Sequence, residues 1–167
     1  MNAIDRAAYF DVHERPVEAA KAYEEAIRKN CASLETYLNL AALYFVCQVG
    51  GYAAHHRLTE EFLNRAWNRF GQVLNEAEAK FGRDSEIAFW RRYFRFVVLG
   101  EDFSVQTAER IAKSGRSLVP YLHLVMWPGS TNYQGEAALL LESVRAGKTE
   151  KDRYIRSVLE SVRSRRS

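Results

Sequence analysis

Apolar residues recur at steps of three and four along most of the chain, which is the spacing of one face of an α-helix. In the clearest segment, Leu34–Gln48, Ser33 stands at the N-cap position and the apolar face consists of Tyr37, Leu40, Ala41, Tyr44 and Phe45. Capping residues and glycines divide the rest of the chain into segments of the same kind. The pattern predicts an all-α protein of about eight or nine helices.

The boundaries of these helices follow from residues that cap or interrupt a helix. The expected segments are Asn2 to about Asp11, Val17–Lys29 after Pro16, Leu34–Gln48, Tyr52–Phe81 with a restart or kink at Thr59, Asp84 or Ser85 through Leu99, Ser104 to about Lys113, Tyr121–Trp127 closed by Pro128-Gly129, Tyr133–Arg145, and Lys151–Arg163. Short connections favour antiparallel helix hairpins. The shared core is expected to contain Tyr23, Tyr37, Leu40, Tyr44, Phe70, Trp90, Phe94 and Leu159.

Composition supports a helical globular domain. Hydrophobic residues make up 47% of the 167 residues, and 9 Gly and 3 Pro are too few for the frequent turns of an all-β sandwich or barrel. The length is that of one domain, so we expect residues 1–167 to form a single unit. No apolar stretch approaches the roughly 20 residues that span a bilayer, so no membrane association is expected.

The N-terminus lacks the basic start and apolar core of a signal peptide. The two cysteines, Cys31 and Cys47, are too few for a disulfide framework and are expected to stay reduced. These features favour a cytoplasmic protein. The net charge of +3 is mildly basic and below what a dedicated nucleic-acid-binding domain usually carries.

Small and large residues alternate in two neighbouring helices. In the first of these helices the order is small, large, small at Ala19, Tyr23 and Ala26. In the next it is large, large, small, large at Tyr37, Leu40, Ala41 and Tyr44. The two sets resemble the two halves of a tetratricopeptide repeat in one register. The resemblance implies that helix hairpins over about residues 2–115 stack as a superhelix. Divergent helices over about 117–165 would follow, with Lys151–Arg163 as the capping helix. The alternative is a generic helix bundle in which the Ala and Tyr spacing is accidental.

Two further segments follow the same order less closely. Ala66, Phe70 and Val73 come later than the repeat period allows, which implies an insertion or a longer helix. Another unit can be set on Trp90, Tyr93, Phe94 and Val97, which share one helical face and are expected in the core.

The tetratricopeptide resemblance also points to a binding surface. In that family the first helices of successive repeats line a concave face, and here their exposed residues would be Glu35, Leu38, Asn39, Ala42, Ala88, Arg91, Arg92 and Arg95. Asn39 and Arg92 match positions that bind a peptide carboxylate in clamp-type members, whereas Ile4, Ala8 and Ala88 depart from that clamp.

The three arginines fall on one helical face and would attract a carboxylate or phosphate. We therefore predict that Glu35, Asn39, Arg91, Arg92 and Arg95 bind an acidic peptide or protein segment. Glu35 is expected to neutralise part of the arginine charge. The alternative is a solvated face whose arginines pair with nearby acids.

Other chemistry finds no support in the sequence. His55 and His56 are adjacent and would point about 100° apart on a helix, while His13 and His123 stand alone, so no metal site is predicted. No nucleophile or acid–base pair has suitable spacing, and no cofactor motif is present, which argues against an enzyme. The sequence predicts a non-catalytic interaction module. The aromatic and basic run from Phe89 to Phe96 keeps two alternatives open, a nucleic-acid-binding protein and a regulatory or inhibitor protein.

Overall fold

The computed structural model describes residues 1–127 and 132–166, and every regular element in these ranges is an α-helix. The ten helices of the described residues are α1 (Ala3–Val12), α2 (Pro16–Arg28), α3 (Leu34–Val46), α4 (Tyr52–His55), α5 (Glu60–Phe81), α6 (Ser85–Leu99), α7 (Val105–Lys113), α8 (Tyr121–Met126), α9 (Gln134–Arg145) and α10 (Glu150–Arg166). The all-α prediction is confirmed. The count exceeds the prediction because the segment expected over Tyr52–Phe81 is two helices, and the turn expected at Pro128-Gly129 lies outside the described residues.

Side-chain caps fix the starts of five helices where the sequence predicts them, α1, α3, α5, α6 and α7. Asn2 accepts a hydrogen bond from the amide of Asp5 at 2.9 Å, and Ser33 and Thr36 cap each other reciprocally at the start of α3. Thr59 caps α5, so it restarts the chain after α4 rather than kinking one long helix. Gly100 ends α6 with φ of 69°, a left-handed conformation that glycine adopts without steric cost.

The chain divides into two compact units, one formed by Met1–Gly82 with Thr149–Lys151 and one by Arg83–Lys148 with Asp152–Ser167. In the first unit, α1 packs against α2, α2 against α3, and α3 against α5. Helix α3 is the centre of this unit because eleven of its thirteen residues are buried. The predicted core residues of this unit are all buried: Tyr23, Tyr37, Leu40, Tyr44 and Phe70.

In the second unit, α6 packs against α7, α7 against α8, and α8 against α9. The predicted core residues Trp90, Phe94 and Leu159 are buried. Val97 is not, since 37% of its surface is exposed, so its assignment to the core is wrong. Val97 lies in the last turn of α6, which ends two residues later at Leu99, and Leu99 is also exposed.

None of the helices in the described part of the chain combines the length and apolar character that crossing a bilayer requires.

Candidate functional site

The two predicted site residues in the first unit do not form an exposed recognition surface. Asn39 is only 8% exposed, and Leu38 and Ala42 beside it are buried as well. The prediction that these residues face solvent is wrong, because α3 carries no charge after Glu35 and is apolar on all sides. Asn39 Oδ1 has no hydrogen-bond partner among the described residues.

Glu35 has a role that the sequence does not reveal. Its carboxylate lies on the surface and accepts a hydrogen bond at 2.7 Å from the ammonium group of Lys151, which is itself buried. Glu35 is therefore the ion-pair partner of a buried lysine of its own unit. The expectation that Glu35 neutralises part of the arginine charge on α6 stays a prediction.

The three arginines lie on α6 in the second unit, where the chain itself supplies contacts. Arg95 forms an ion pair with Glu101 at 2.7 Å, and this hydrogen bond raises the pKa of the guanidinium group. Arg92 lies over the ring of Phe103 and donates at 3.4 Å to the carbonyl of Asp102. Arg91 is half-buried. These contacts agree with the alternative of a face paired with nearby groups.

A groove between α2 and α5, with α3 as its floor, is the candidate binding surface of the first unit. It has a volume of about 540 Å³, and its lining is strongly charged. We call it the α2–α5 groove, and it is lined by Ala20, Lys21, Glu24, Glu25, Arg28, Tyr44, Phe62, Arg65 and Arg69.

The two acids of the α2–α5 groove are already neutralised. Glu24 accepts hydrogen bonds from Arg69 Nε and Nη2, both at 2.9 Å, and from the Tyr44 hydroxyl at 2.9 Å. This pairing with Glu24 raises the pKa of Arg69. Glu25 pairs with Lys29 at 2.6 Å and also with Arg6, and the Lys29 hydrogen bond lowers the pKa of the carboxyl group. Each carboxylate thus has a cationic partner in hydrogen-bond contact, and Glu25 also interacts electrostatically with Arg28.

The remaining cations of the groove are Lys21, Arg28 and Arg65, and all three are exposed. None of them forms an ion pair within the described residues. Arg65 lies over the ring of Phe62, which holds the guanidinium group beside the floor of the groove. An adjoining depression of about 330 Å³ shares Lys21 and Arg65 and adds Arg57 and the acid Glu61. The groove is therefore a positively charged cleft with an aromatic floor.

Comparison of the chain with protein-family models, with curated proteins and with solved structures gives no match. The functional argument therefore rests on the geometry of the described residues.

The sequence contains signals for the α2–α5 groove, but they do not lie at the first-helix positions to which the tetratricopeptide resemblance points. Lys21 and Arg28 are seven residues apart on α2, and Arg65 and Arg69 are four apart on α5, so each pair shares a helical face. What the sequence does not give is the approach of the two faces across α3, because that depends on tertiary packing.

A second site of interest is the buried histidine of the second unit. His123 is 1% exposed, and its Nε2 donates at 2.7 Å to the carbonyl oxygen of Phe103. Its ring stacks on Phe103 with centroids 4.1 Å apart. The other ring nitrogen, Nδ1, is buried without a partner among the described residues. Burial lowers the pKa of His123 below its ordinary value of 6.5, against a smaller opposing effect of the Phe103 hydrogen bond.

This environment predicts a pH-dependent stability. Below pH 6.5 the unfolded chain takes up a proton at His123 that the folded protein resists, so the contribution is present above 6.5 and is lost as the pH falls towards the lower folded pKa. We expect His123→Gln, which keeps a donor for Phe103 but does not titrate, to show a smaller fall in urea midpoint between about pH 7.5 and about pH 5.5 than the unmodified protein. The control is His13→Gln, because His13 is exposed. Equal falls in the urea midpoint of the unmodified protein, His123→Gln and His13→Gln would contradict the role given to His123.

Proposed function

We propose that the protein is a non-catalytic interaction module whose α2–α5 groove binds an acidic segment of a partner protein. The observation that carries this proposal is the charge of the groove. Its own acids are paired with Arg69, Tyr44, Lys29 and Arg6, whereas Lys21, Arg28 and Arg65 remain exposed along the cleft. The lining of the groove carries four cationic side chains against two carboxylates, and this excess of positive charge attracts an incoming carboxylate.

The spread of the cations supports a peptide rather than a small anion, since Lys21 and Arg28 are seven residues apart on α2 and Arg65 lies on α5. Tyr44 and Phe62 form an edge-to-face pair with ring centroids 6.4 Å apart at the base of the cleft. Both side chains are almost completely buried in the free protein, so they define the shape of the floor. Because these rings offer little exposed surface, a partner segment would gain its affinity chiefly from carboxylates placed beside the cations.

The repeat architecture belongs to the same proposal. In the first unit the contacts run from α1 to α2, from α2 to α3 and from α3 to α5, which is the order expected of stacked hairpins. We propose tetratricopeptide-like hairpins over about residues 2–115, followed by divergent helices over about 117–165. A cytoplasmic location, in keeping with the unpaired Cys31 and Cys47, is part of this proposal.

The test compares two charge-reversed proteins, each with three substitutions. One carries Lys21→Glu, Arg28→Glu and Arg65→Glu in the groove, and the matched control carries Arg91→Glu, Arg92→Glu and Arg95→Glu on α6. A display library of peptides rich in Asp and Glu, each with one aromatic or aliphatic residue, supplies a ligand, and its affinity is measured by fluorescence anisotropy. We expect the groove variant to bind about a hundredfold more weakly and the α6 variant to retain its affinity.

Three outcomes would overturn the proposal. The first is a library that yields no binder sensitive to the groove substitutions. The second is an equal loss in the α6 variant, which would return the site to the arginines of α6. The third is tight binding of a single-stranded oligonucleotide in the same groove with a steep salt dependence, which would favour the nucleic-acid alternative. Far-ultraviolet circular dichroism of both variants checks that the helices remain intact.

A further inference from the structure

Three side chains with metal-binding atoms meet at one edge of the first unit. A carboxylate oxygen of Glu14 and ring nitrogens of His55 and His56 all lie within 4.8 Å of one another. Glu14 occupies the turn between α1 and α2, while the two histidines stand at the end of α4. Glu14 and His55 are exposed and His56 is half-buried. Within residues 1–127 and 132–166, this is the one group of three such residues in reach of a common ion.

The adjacent histidines converge because α4 is a single turn. His55 is its last residue and His56 is the C-cap, and Arg57 follows in a left-handed conformation with φ of 51°. The two rings are edge to face, with centroids 4.8 Å apart. The expectation that neighbouring histidines cannot share a ligand assumes a continuous helix, and α4 does not continue.

Both arms of the cluster are held by one buried polar network. The amide of Glu14 donates at 3.1 Å to the carbonyl of Asp11, whose carboxylate accepts at 2.8 Å from the amide of Glu150. The Glu150 carboxylate in turn accepts at 3.0 Å from the hydroxyl of Tyr52. The ring of Tyr52 lies against that of His56, with centroids 4.2 Å apart and the two planes tilted by 40°. Asp11 and Glu150 are buried, so the ligand groups project from a fixed base.

We propose that Glu14, His55 and His56 form a site for a divalent transition-metal ion of the zinc class. Two imidazoles and one carboxylate suit Zn²⁺ or Co²⁺, whereas Ca²⁺ and Mg²⁺ prefer sets of oxygen ligands. Ligand atoms of a tetrahedral zinc ion lie about 3.4 Å apart, so these side chains need to close by about 1.4 Å at most. Rotation of the exposed Glu14 and His55 side chains provides that movement. Water or a donor from another molecule completes the coordination.

The site would tie the α1–α2 turn to α4, two segments that are distant in the sequence. Metal bound only by the folded protein stabilises it by mass action. Bound Zn²⁺ is therefore expected to raise the thermal midpoint of the protein as its concentration passes the dissociation constant.

The test is a titration of the metal-free, full-length protein with Zn²⁺ by calorimetry and with Co²⁺ by visible absorption. We expect one ion per chain, with the intense visible bands of a tetrahedral Co²⁺ centre. His55→Ala, His56→Ala and Glu14→Gln should each weaken Zn²⁺ binding by at least about tenfold, because even residues that only orient ligands contribute that much.

His13→Ala is the matched control. His13 is an exposed histidine next to Glu14, but its Nδ1 lies 2.7 Å from the Tyr9 carbonyl and it is not part of the cluster. The control should keep the affinity and the zinc-dependent rise in thermal midpoint, and His55→Ala should lose both. Unchanged binding in His55→Ala and Glu14→Gln would overturn the proposal. So would the absence of one-to-one Zn²⁺ binding tighter than about 0.1 mM.

Discussion

Replacing Trp90 by alanine is expected to lower the free energy of unfolding by about 4 kcal/mol, the largest effect of any substitution considered. Trp90 is completely buried and lies at the centre of an aromatic cluster on α6. Its ring meets Phe89 and Tyr93 with centroids 5.3 Å and 6.0 Å away. Its indole N–H donates to the buried carboxylate of Glu86 at 3.2 Å. The substitution therefore leaves a cavity and removes a hydrogen bond from a buried acceptor.

Trp67→Ala is the matched control for this measurement. Trp67 lies on α5 with 43% of its surface exposed, so its removal should cost about 1 kcal/mol or less. Urea denaturation followed by circular dichroism compares the two variants with the unmodified protein. If Trp90→Ala were no more destabilising than Trp67→Ala, the aromatic cluster would not be the core of the second unit.

The burial of Trp90 also bears on the nucleic-acid alternative. Phe89, Trp90 and Tyr93 have no exposed surface, so these rings cannot stack on bases without unfolding of α6. Trp90, Tyr93 and Phe94 are buried in the core, as the helical spacing predicts, whereas Phe96 is half-buried. A sequence run that interleaves rings with arginines is therefore explained by two faces of one helix.

The helix boundaries could be predicted because they depend on local chemistry. Four N-cap side chains each accept a hydrogen bond from the backbone amide of the residue three positions later: Asn2, Ser33, Thr59 and Ser104. This depends only on the residue type and its position at the helix start. The core faces of the helices could also be predicted, because apolar residues at steps of three and four lie on one side of a helix. The error at Asn39 has a different origin, since the face that is buried on α3 depends on what packs around the helix. A helix without charge after Glu35 is apolar on all sides, and that was the signal for complete burial.

The candidate sites were harder to predict because they depend on contacts between distant segments. Glu24 meets Arg69 across 45 positions of the sequence, and this pairing determines which cations of the groove remain exposed. Arg95, by contrast, pairs with Glu101, which is only six residues away. The pairing of Arg95 with a nearby acid could therefore be expected from the sequence. The convergence of Glu14 with His55 and His56 depends on the end of α4 at His55, whereas the sequence indicated only a restart or kink at Thr59.

Replacing Tyr44 by alanine is expected to lower the free energy of unfolding by about 3 kcal/mol. Tyr44 is 1% exposed on α3 and packs edge to face against Phe62, so the loss is chiefly that of a buried ring. Its hydroxyl donates to Glu24 at 2.9 Å, and burial raises the pKa of the phenol, which keeps it protonated as a donor. Tyr44→Phe separates the two contributions. It keeps the ring and is expected to cost about 1.5 kcal/mol, the value of a hydrogen bond to a charged group.

The control for both substitutions is Tyr9→Ala, because Tyr9 lies on α1 with 47% of its surface exposed. Its removal should cost about 1 kcal/mol or less in the same urea titrations. Equal losses for Tyr44→Ala and Tyr44→Phe would show that the hydroxyl rather than the ring supports α3. In the peptide assay, Tyr44→Phe should bind nearly as well as the unmodified protein. Arg69 continues to hold Glu24 through two hydrogen bonds in that variant, so the exposure of Lys21, Arg28 and Arg65 along the groove is unchanged.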